Sequence, residues 1–164
     1  MKPLKCLVLS DSHGMTDRLR TAVKRAGNID VLFFLGDGLS DLAEVISLFP
    51  SVPFMAVKGN CDFFDPIPGR SVRKIDSITL NDKKIVLTHG DLYGAKYGLD
   101  GLISLAANMS ADVILYGHTH ERVETYIDGV YYLNPGAVRG DRNPPSAGIL
   151  TLTESGVLFS FMDL

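Results

Sequence analysis

The stretch LKCLVLSDSHG, from Leu4 to Gly14, decides how the rest of the chain is read. Its first part, Leu4 to Ser10, is a compact apolar run without polar alternation. Such a run suits a strand buried on both faces of a sheet. It stops abruptly at Asp11, Ser12 and His13. A buried strand that ends in a carboxylate and an imidazole places chemistry at the carboxyl edge of a sheet, where α/β proteins bind ligands.

Working outward, TDRLRTAVKRAG has Leu19, Ala22, Val23 and Ala26 at helical spacing, with Thr16 as the expected cap and Gly27 as the stop. A second buried strand is expected over Asp30 to Gly36. A helix capped by Ser40 follows to Phe49, and then a third strand over Val52 to Gly59. Strand and helix alternate, which implies parallel pairing with right-handed crossovers. Beyond Ser71 the pattern changes to hairpins around Asn81-Asp82, Asp128-Gly129 and Ser155-Gly156. A helix over Asp100 to Ala111 and a strand over Asp112 to Gly117 lie among them, and Asp91 to Asp100 reads as a loop. Two facing sheets with helices outside would bury these segments. No linker, repeat or charge block divides the chain, so residues 1–164 are expected to form one domain.

The 164 residues are 46% hydrophobic, enough for a substantial core. A net charge of −3 gives no general grip on long nucleic acid or an anionic membrane. The two cysteines, Cys6 and Cys61, show no zinc or disulfide spacing, which suits a reduced, cytoplasmic setting. The amino-terminal apolar patch is too short and too polar for a signal peptide or membrane span.

The expected strands end in Asp11-Ser12-His13, Gly36-Asp37, Gly59-Asn60-Cys61-Asp62, His89-Gly90-Asp91 and Gly117-His118-Thr119-His120. All four histidines of the chain are in this set. His118 and His120 lie two apart on an extended segment, so both rings can reach one point. Asp, His and Asn without paired cysteines form a nitrogen and oxygen donor set for Mn²⁺, Fe, Zn²⁺, Ni²⁺ or Co²⁺. Seven candidates, Asp11, His13, Asp37, Asn60, His89, His118 and His120, exceed one tetrahedral ion and suffice for two ions.

This ordered series resembles the calcineurin-like metallophosphoesterase superfamily, and its GNCD variant is most similar to the small bacterial and archaeal phosphodiesterases. The resemblance implies an α/β fold of the metallo-dependent phosphatase type, a four-layer α/β/β/α sandwich with two facing mixed sheets. It implies that Asp11, His13, Asp37 and His120 hold a first metal. Asp37, Asn60, His89 and His118 hold a second, with Asp37 bridging and Mn²⁺ as the leading ion. It further implies hydrolysis of a small phosphodiester by a metal-bridging hydroxide, with Asn60, His89 and His118 catalytic. Many members carry histidine, an expected leaving-group acid, where Cys61 stands; its loss disfavours monoesters with poor leaving groups.

Around that centre, Asn60 and Arg139 are the expected substrate contacts, and Arg142, beside Arg139 after the Asn134-Pro135-Gly136 turn, is a further candidate for touching the substrate phosphate, the other reading of both arginines being a solvated loop. Asp62 and Asp91 are candidates for orienting ligand imidazoles. Tyr93 and Tyr97 suit stacking or loop packing, and Cys61 is expected to be a packed thiol. The alternatives are a non-catalytic interaction scaffold of the same fold, as in a retromer subunit, or a phosphomonoesterase or nuclease. No membrane partner is expected, and a homo-oligomer is left open.

Overall fold

A computed structural model of residues 1–164 shows two five-stranded sheets flanked by helices. Strand β1 (Leu4–Leu9) leads to helix α1 (Thr16–Ala26), β2 (Val31–Phe34), helix α2 (Leu39–Leu48) and β3 (Phe54–Ala56). The second half contains β4 (Ile75–Leu80), β5 (Lys83–Thr88), helix α3 (Asp100–Met109), β6 (Val113–Leu115), β7 (Arg122–Ile127), β8 (Val130–Pro135), β9 (Ser146–Thr153) and β10 (Gly156–Asp163). The first sheet has the order β10-β9-β1-β2-β3, and the second β4-β5-β6-β8-β7. Both are mixed: β1-β2-β3 and β5-β6-β8 run parallel, and the outer pairs are antiparallel.

Three apolar clusters separate four layers. Leu7 and Leu9 of β1 pack with Leu19, Val23, Leu42 and Val45 of α1 and α2. The opposite residues of the same strand, Cys6 and Val8, join Phe33 and Leu35 against Ile85, Leu87, Val113 and Leu115 of the second sheet. Val86, Ile114 and Tyr116 then face Leu102, Leu105 and Ala106 of α3. Alternate residues of β1 therefore serve two cores, which is why Leu4 to Ser10 carries no polar alternation. The α/β/β/α sandwich expected from the sequence is the fold observed.

Local differences have physical causes. Thr16 is the first residue of α1 rather than its cap, and its hydroxyl donates to Asp41 Oδ1 at 2.8 Å. Helix α2 begins at Leu39 after Gly38, so Ser40 lies inside it. Strand β3 keeps only three residues of the expected Val52 to Gly59, since it pairs on one side alone. Helix α3 stops at Met109, where Ser110 turns left-handed. The expected loop after β5 contains two short 3-10 turns, Asp91–Tyr93 and Ala95–Tyr97. The Asn81-Asp82 and Asp128-Gly129 hairpin turns form, with positive φ at all four residues.

Candidate metal centre

The polar residues follow the carboxyl ends of the parallel strands, and backbone pairing continues past those ends. Asp11 N donates to the Gly36 carbonyl at 3.0 Å, His13 N to that of Asp37 at 3.1 Å, and Gly117 N to that of His89 at 3.0 Å. The segments after β1 and β2, and those after β5 and β6, are thereby held side by side. Two glycines are required by close approach. A Cβ on Gly59 would lie 2.1 Å from Asp37 Oδ1, and one on Gly117 would lie 2.0 Å from Ser10 Oγ and 2.7 Å from Asp11 Oδ2.

Two His/Asp groups form. Asp11, His13 and His120 offer one set of ligand atoms, and Asp37, His89 and His118 another, each set mutually within 4.8 Å. In the first, Asp11 Oδ1 lies 3.1 Å from His120 Nε2 and 3.5 Å from His13 Nε2. In the second, Asp37 Oδ2 lies 3.2 Å from His89 Nε2, which is itself 3.2 Å from His118 Nδ1. The groups adjoin: His13 Nε2 is 3.7 Å from Asp37 Oδ2, and His89 Nε2 is 3.9 Å from Asp11 Oδ1.

The remaining atoms of these residues are committed elsewhere. Asp11 Oδ2 accepts from Ser10 Oγ and from His118 N. Asp37 Oδ1 accepts from Cys61 N at 2.8 Å. His89 Nδ1 donates to the Leu35 carbonyl at 2.7 Å, which turns its Nε2 toward the two groups. His120 Nδ1 is fixed at 2.8 Å by Asp141 Oδ2, with the same result for its Nε2. Asn143 Nδ2 also donates to the His120 carbonyl at 3.1 Å, so the loop after β8 holds His120 by ring and backbone.

Charge is concentrated in little space. Burial pushes the Asp11 carboxyl up, but the bond from His120 and the other imidazoles outweigh it and hold the group well below the usual carboxylate range. Asp37 is lowered likewise, burial being outweighed by His89. The bond to Asp11, with Asp141 behind it, lifts His120 to about 9 against the opposing effect of burial. His89 is raised because both carboxylates overcome its burial. His118 is lowered by burial and by the positive charges of His89 and Lys96.

Two further carboxylates set the loops. Asp62 accepts from four backbone N–H groups, those of Asp37, Gly38, Leu39 and Gly59. Its expected role of orienting an imidazole is corrected: it ties the loop after β2 to the loop after β3. Asp41, in α2, accepts from Ser12 Oγ, Gly14 N and Thr16 Oγ1 and so shapes the turn that carries His13. Asn134 donates to the Gly117 carbonyl at 2.9 Å and accepts from Gly136 N, so it supports the loop that carries His118.

The sequence from residue 4 to 155 matches the family model of the calcineurin-like phosphoesterase superfamily domain. The chain belongs to that superfamily. It is 33% identical to the probable metallophosphoesterase YsnB of Bacillus subtilis, covering 98% of this chain and 91% of that protein. It is 32% identical to the phosphodiesterase YfcE of Escherichia coli K12, over 90% of this chain and 87% of the relative. Vacuolar protein sorting 29 from Cryptosporidium parvum shares the fold, with a TM-score of 0.81 at 20% identity, covering 99% of this chain and 92% of that one.

Membership of the superfamily implies divalent metal ions, and the donors fit them. His13 Nε2 is buried without a hydrogen-bond partner, yet two carboxylates lie within 3.7 Å of it. A ring nitrogen so placed is suited to sharing a cation with those oxygens. Six of the seven expected ligands are brought together. Asn60 is exposed and contacts Cys61 Sγ at 3.5 Å, with no hydrogen bond to the His/Asp groups. Cys61 was expected to be packed and is exposed instead; its Sγ lies within 4.8 Å of ligand atoms of His13 and Asp37. Desolvation and the Asp37 carboxylate push its thiol up, keeping it protonated. Asp91 opens a 3-10 turn and bonds no imidazole. Tyr93 packs against the α3 cluster, while Tyr97 is 96% exposed. Arg139 has an exposed side chain, and its backbone N–H donates to the Asp11 carbonyl at 3.0 Å.

Asp141, Asp41 and Ser10 were not singled out from the sequence. Asp141 stands 21 residues after its partner His120, and no periodicity links them. The run RGDRN carries no signal beyond a loop.

Proposed function

We propose that this protein is a metal-dependent phosphodiesterase of small phosphodiesters, acting as one catalytic domain over residues 1–164 in the cytoplasm. The observation that carries the proposal is the adjoining pair of His/Asp groups, with Asp37 and His13 at their junction. In this reading Asp11, His13, Asp37 and His120 hold one divalent transition-metal ion. Asp37, Asn60, His89 and His118 hold the other, with Asp37 common to both. The family resemblance puts Mn²⁺ first, and the imidazole-rich nitrogen and oxygen set also suits Ni²⁺, Fe, Zn²⁺ or Co²⁺. Such ions supply charge stabilisation at the phosphoryl group and a water that ionises near neutral pH.

The side chains supply direction. The Leu35 carbonyl and the Asp141 carboxylate each hold the far nitrogen of a ring, so His89 and His120 keep their Nε2 atoms inward throughout turnover. Asn60 and Arg139 are both exposed, and in this reading they serve as contacts to the ester oxygens. No imidazole is left over to protonate a leaving group: all four belong to the two groups, and the Cys61 thiol is a weak acid. Diesters and esters with good leaving groups are therefore favoured over monoesters with poor ones.

The test is turnover of bis(p-nitrophenyl) phosphate against p-nitrophenyl phosphate, with Mn²⁺ added to chelator-stripped protein. We expect about two ions per chain by elemental analysis. We also expect diesterase activity that His118→Ala or Asp37→Ala lowers by two or more orders of magnitude. No bound metal and no turnover after addition of Mn²⁺ or Ni²⁺ would favour the interaction scaffold.

A further inference from the structure

Beside the metal centre lies a cleft of about 470 Å³, on the outer side of His118, Thr119 and His120. A volume of this order takes a small-molecule substituent. Its lining is almost wholly polar, Ala95 being its one hydrophobic residue. Two cations line it from separate segments. Lys96 comes from the second 3-10 turn after β5, and Arg142 from the loop after β8.

Both cations are available and both are anchored. Neither Lys96 nor Arg142 is engaged in an ion pair; the side-chain cations that are paired are Lys2, Arg20, Lys58 and Arg122, four of the sixteen in the chain. Arg142 stands between Asp141 and Asn143, which bond the His120 ring and carbonyl, so its backbone is fixed relative to the metal centre. Lys96 follows the buried Ala95, whose N–H donates to the Gly90 carbonyl at 3.1 Å. Of the two acidic residues in the cleft, Asp141 is committed to His120 Nδ1 and Arg142 N, which leaves Glu121 alone against two cations.

We propose that this cleft is a subsite for an anionic group, a carboxylate or second phosphate, carried on the retained or leaving arm of the phosphoester. The inference rests on the hydrolase reading of the adjoining centre and narrows its substrate class to esters with a second negative charge. An arginine fork and a lysine point charge together suit a carboxylate or phosphate. The cleft offers no apolar wall for a hydrocarbon arm. The chain as a whole carries a charge of −3, so attraction of a doubly charged ester has to come from a local field of this kind.

The test uses two phosphonates of matched length, 3-phosphonopropionate and propylphosphonate, titrated calorimetrically into Mn²⁺-loaded protein. They share the phosphoryl group and differ in the charge of the tail. We expect the carboxylate probe to bind at least about fivefold more tightly. We expect Lys96→Met and Arg142→Met each to cut that ratio, and the double variant to bring it near one. Both side chains are exposed, so the variants should melt like the parent. Equal affinities in the parent, or a ratio that survives in the double variant, would overturn the proposal. A parallel loss for both probes would place the cations on the phosphoryl group itself and would overturn it too. Turnover of simple diesters with equal probe affinities would sink the subsite and leave the hydrolase intact. The affinity difference without turnover of any ester would do the reverse.

Discussion

Removal of the Asp141 carboxylate sets two effects against each other. Asp141→Ala deletes the 2.8 Å bond to His120 Nδ1 and leaves Asn143 on the His120 carbonyl. A carboxylate behind a ligand imidazole is worth about 10–100-fold in metal affinity, roughly 1.4–2.7 kcal/mol. The Asp141 side chain is 39% exposed, so water takes over part of its role and the lower end, about tenfold, applies. The opposing effect is proton competition. In the metal-free protein His120 titrates at about 9, so an ion arriving at pH 7 displaces a proton at a cost of roughly two powers of ten in apparent affinity. Asp11 is the larger source of that shift, and Asp141 adds to it. Without Asp141 the imidazole titrates lower and part of the cost disappears. The variant should therefore bind Zn²⁺ more weakly at pH 8.5, by somewhat less than about tenfold because the parent still displaces part of a proton there, with the difference narrowing toward parity at pH 6.5. Competition of the stripped protein with a chromogenic chelator at the two pH values measures this directly. Unchanged affinity at pH 8.5, or a deficit that widens as the pH falls, would refute the reasoning.

Two further outcomes follow from the same geometry. Gly117→Ala forces a Cβ against Ser10 Oγ and Asp11 Oδ2, so it should destabilise the protein by about 1–3 kcal/mol in chemical denaturation and lower its metal content, while unaltered metal binding would contradict the close approach. The metal-free protein should also lose stability as the pH rises. His120 is raised above its unfolded value of 6.5, so its contribution is complete below 6.5 and is lost on passing through about 9; a melting temperature that climbs over that interval would contradict the His120–Asp11 pairing.

The parts legible in the sequence are those governed by local pattern. The unbroken apolar run of β1 announces a strand between two cores, and Asp128-Gly129 announces its hairpin. The residues at the ends of β1, β2, β5 and β6 were readable because parallel pairing leaves their carboxyl ends on one edge. What was not legible depends on contacts made across the fold. Thr16 and Ser40 have the composition of caps, but Asp41 draws the Thr16 hydroxyl away and α2 begins before Ser40. Asp62 sits where a partner for an imidazole would be expected, yet four N–H groups from two loops converge on it first. Asp141 reaches His120 only because β8 returns the chain to the edge of the second sheet next to β6.

The backbone bears on the choice between hydrolase and scaffold. Nine non-glycine residues have positive φ, and five of them are Asp11, His13, Asp37, His118 and His120. Three of the other four belong to the tight hairpin turns Asn81-Asp82 and Asp128-Gly129, where that conformation is ordinary. Left-handed backbone at a residue with a Cβ costs of order 1 kcal/mol, and it persists only where its surroundings impose it. Here the surroundings are the Asp62 and Asp41 carboxylates, the continued strand pairing and the close-approach glycines, all directed at the same few side chains. A surface that worked only by contact with another protein would gain nothing from turning carboxylates and imidazoles inward. Their mutual approach to within 4 Å, at a buried edge and in strained backbone, is accounted for when cations stand between them.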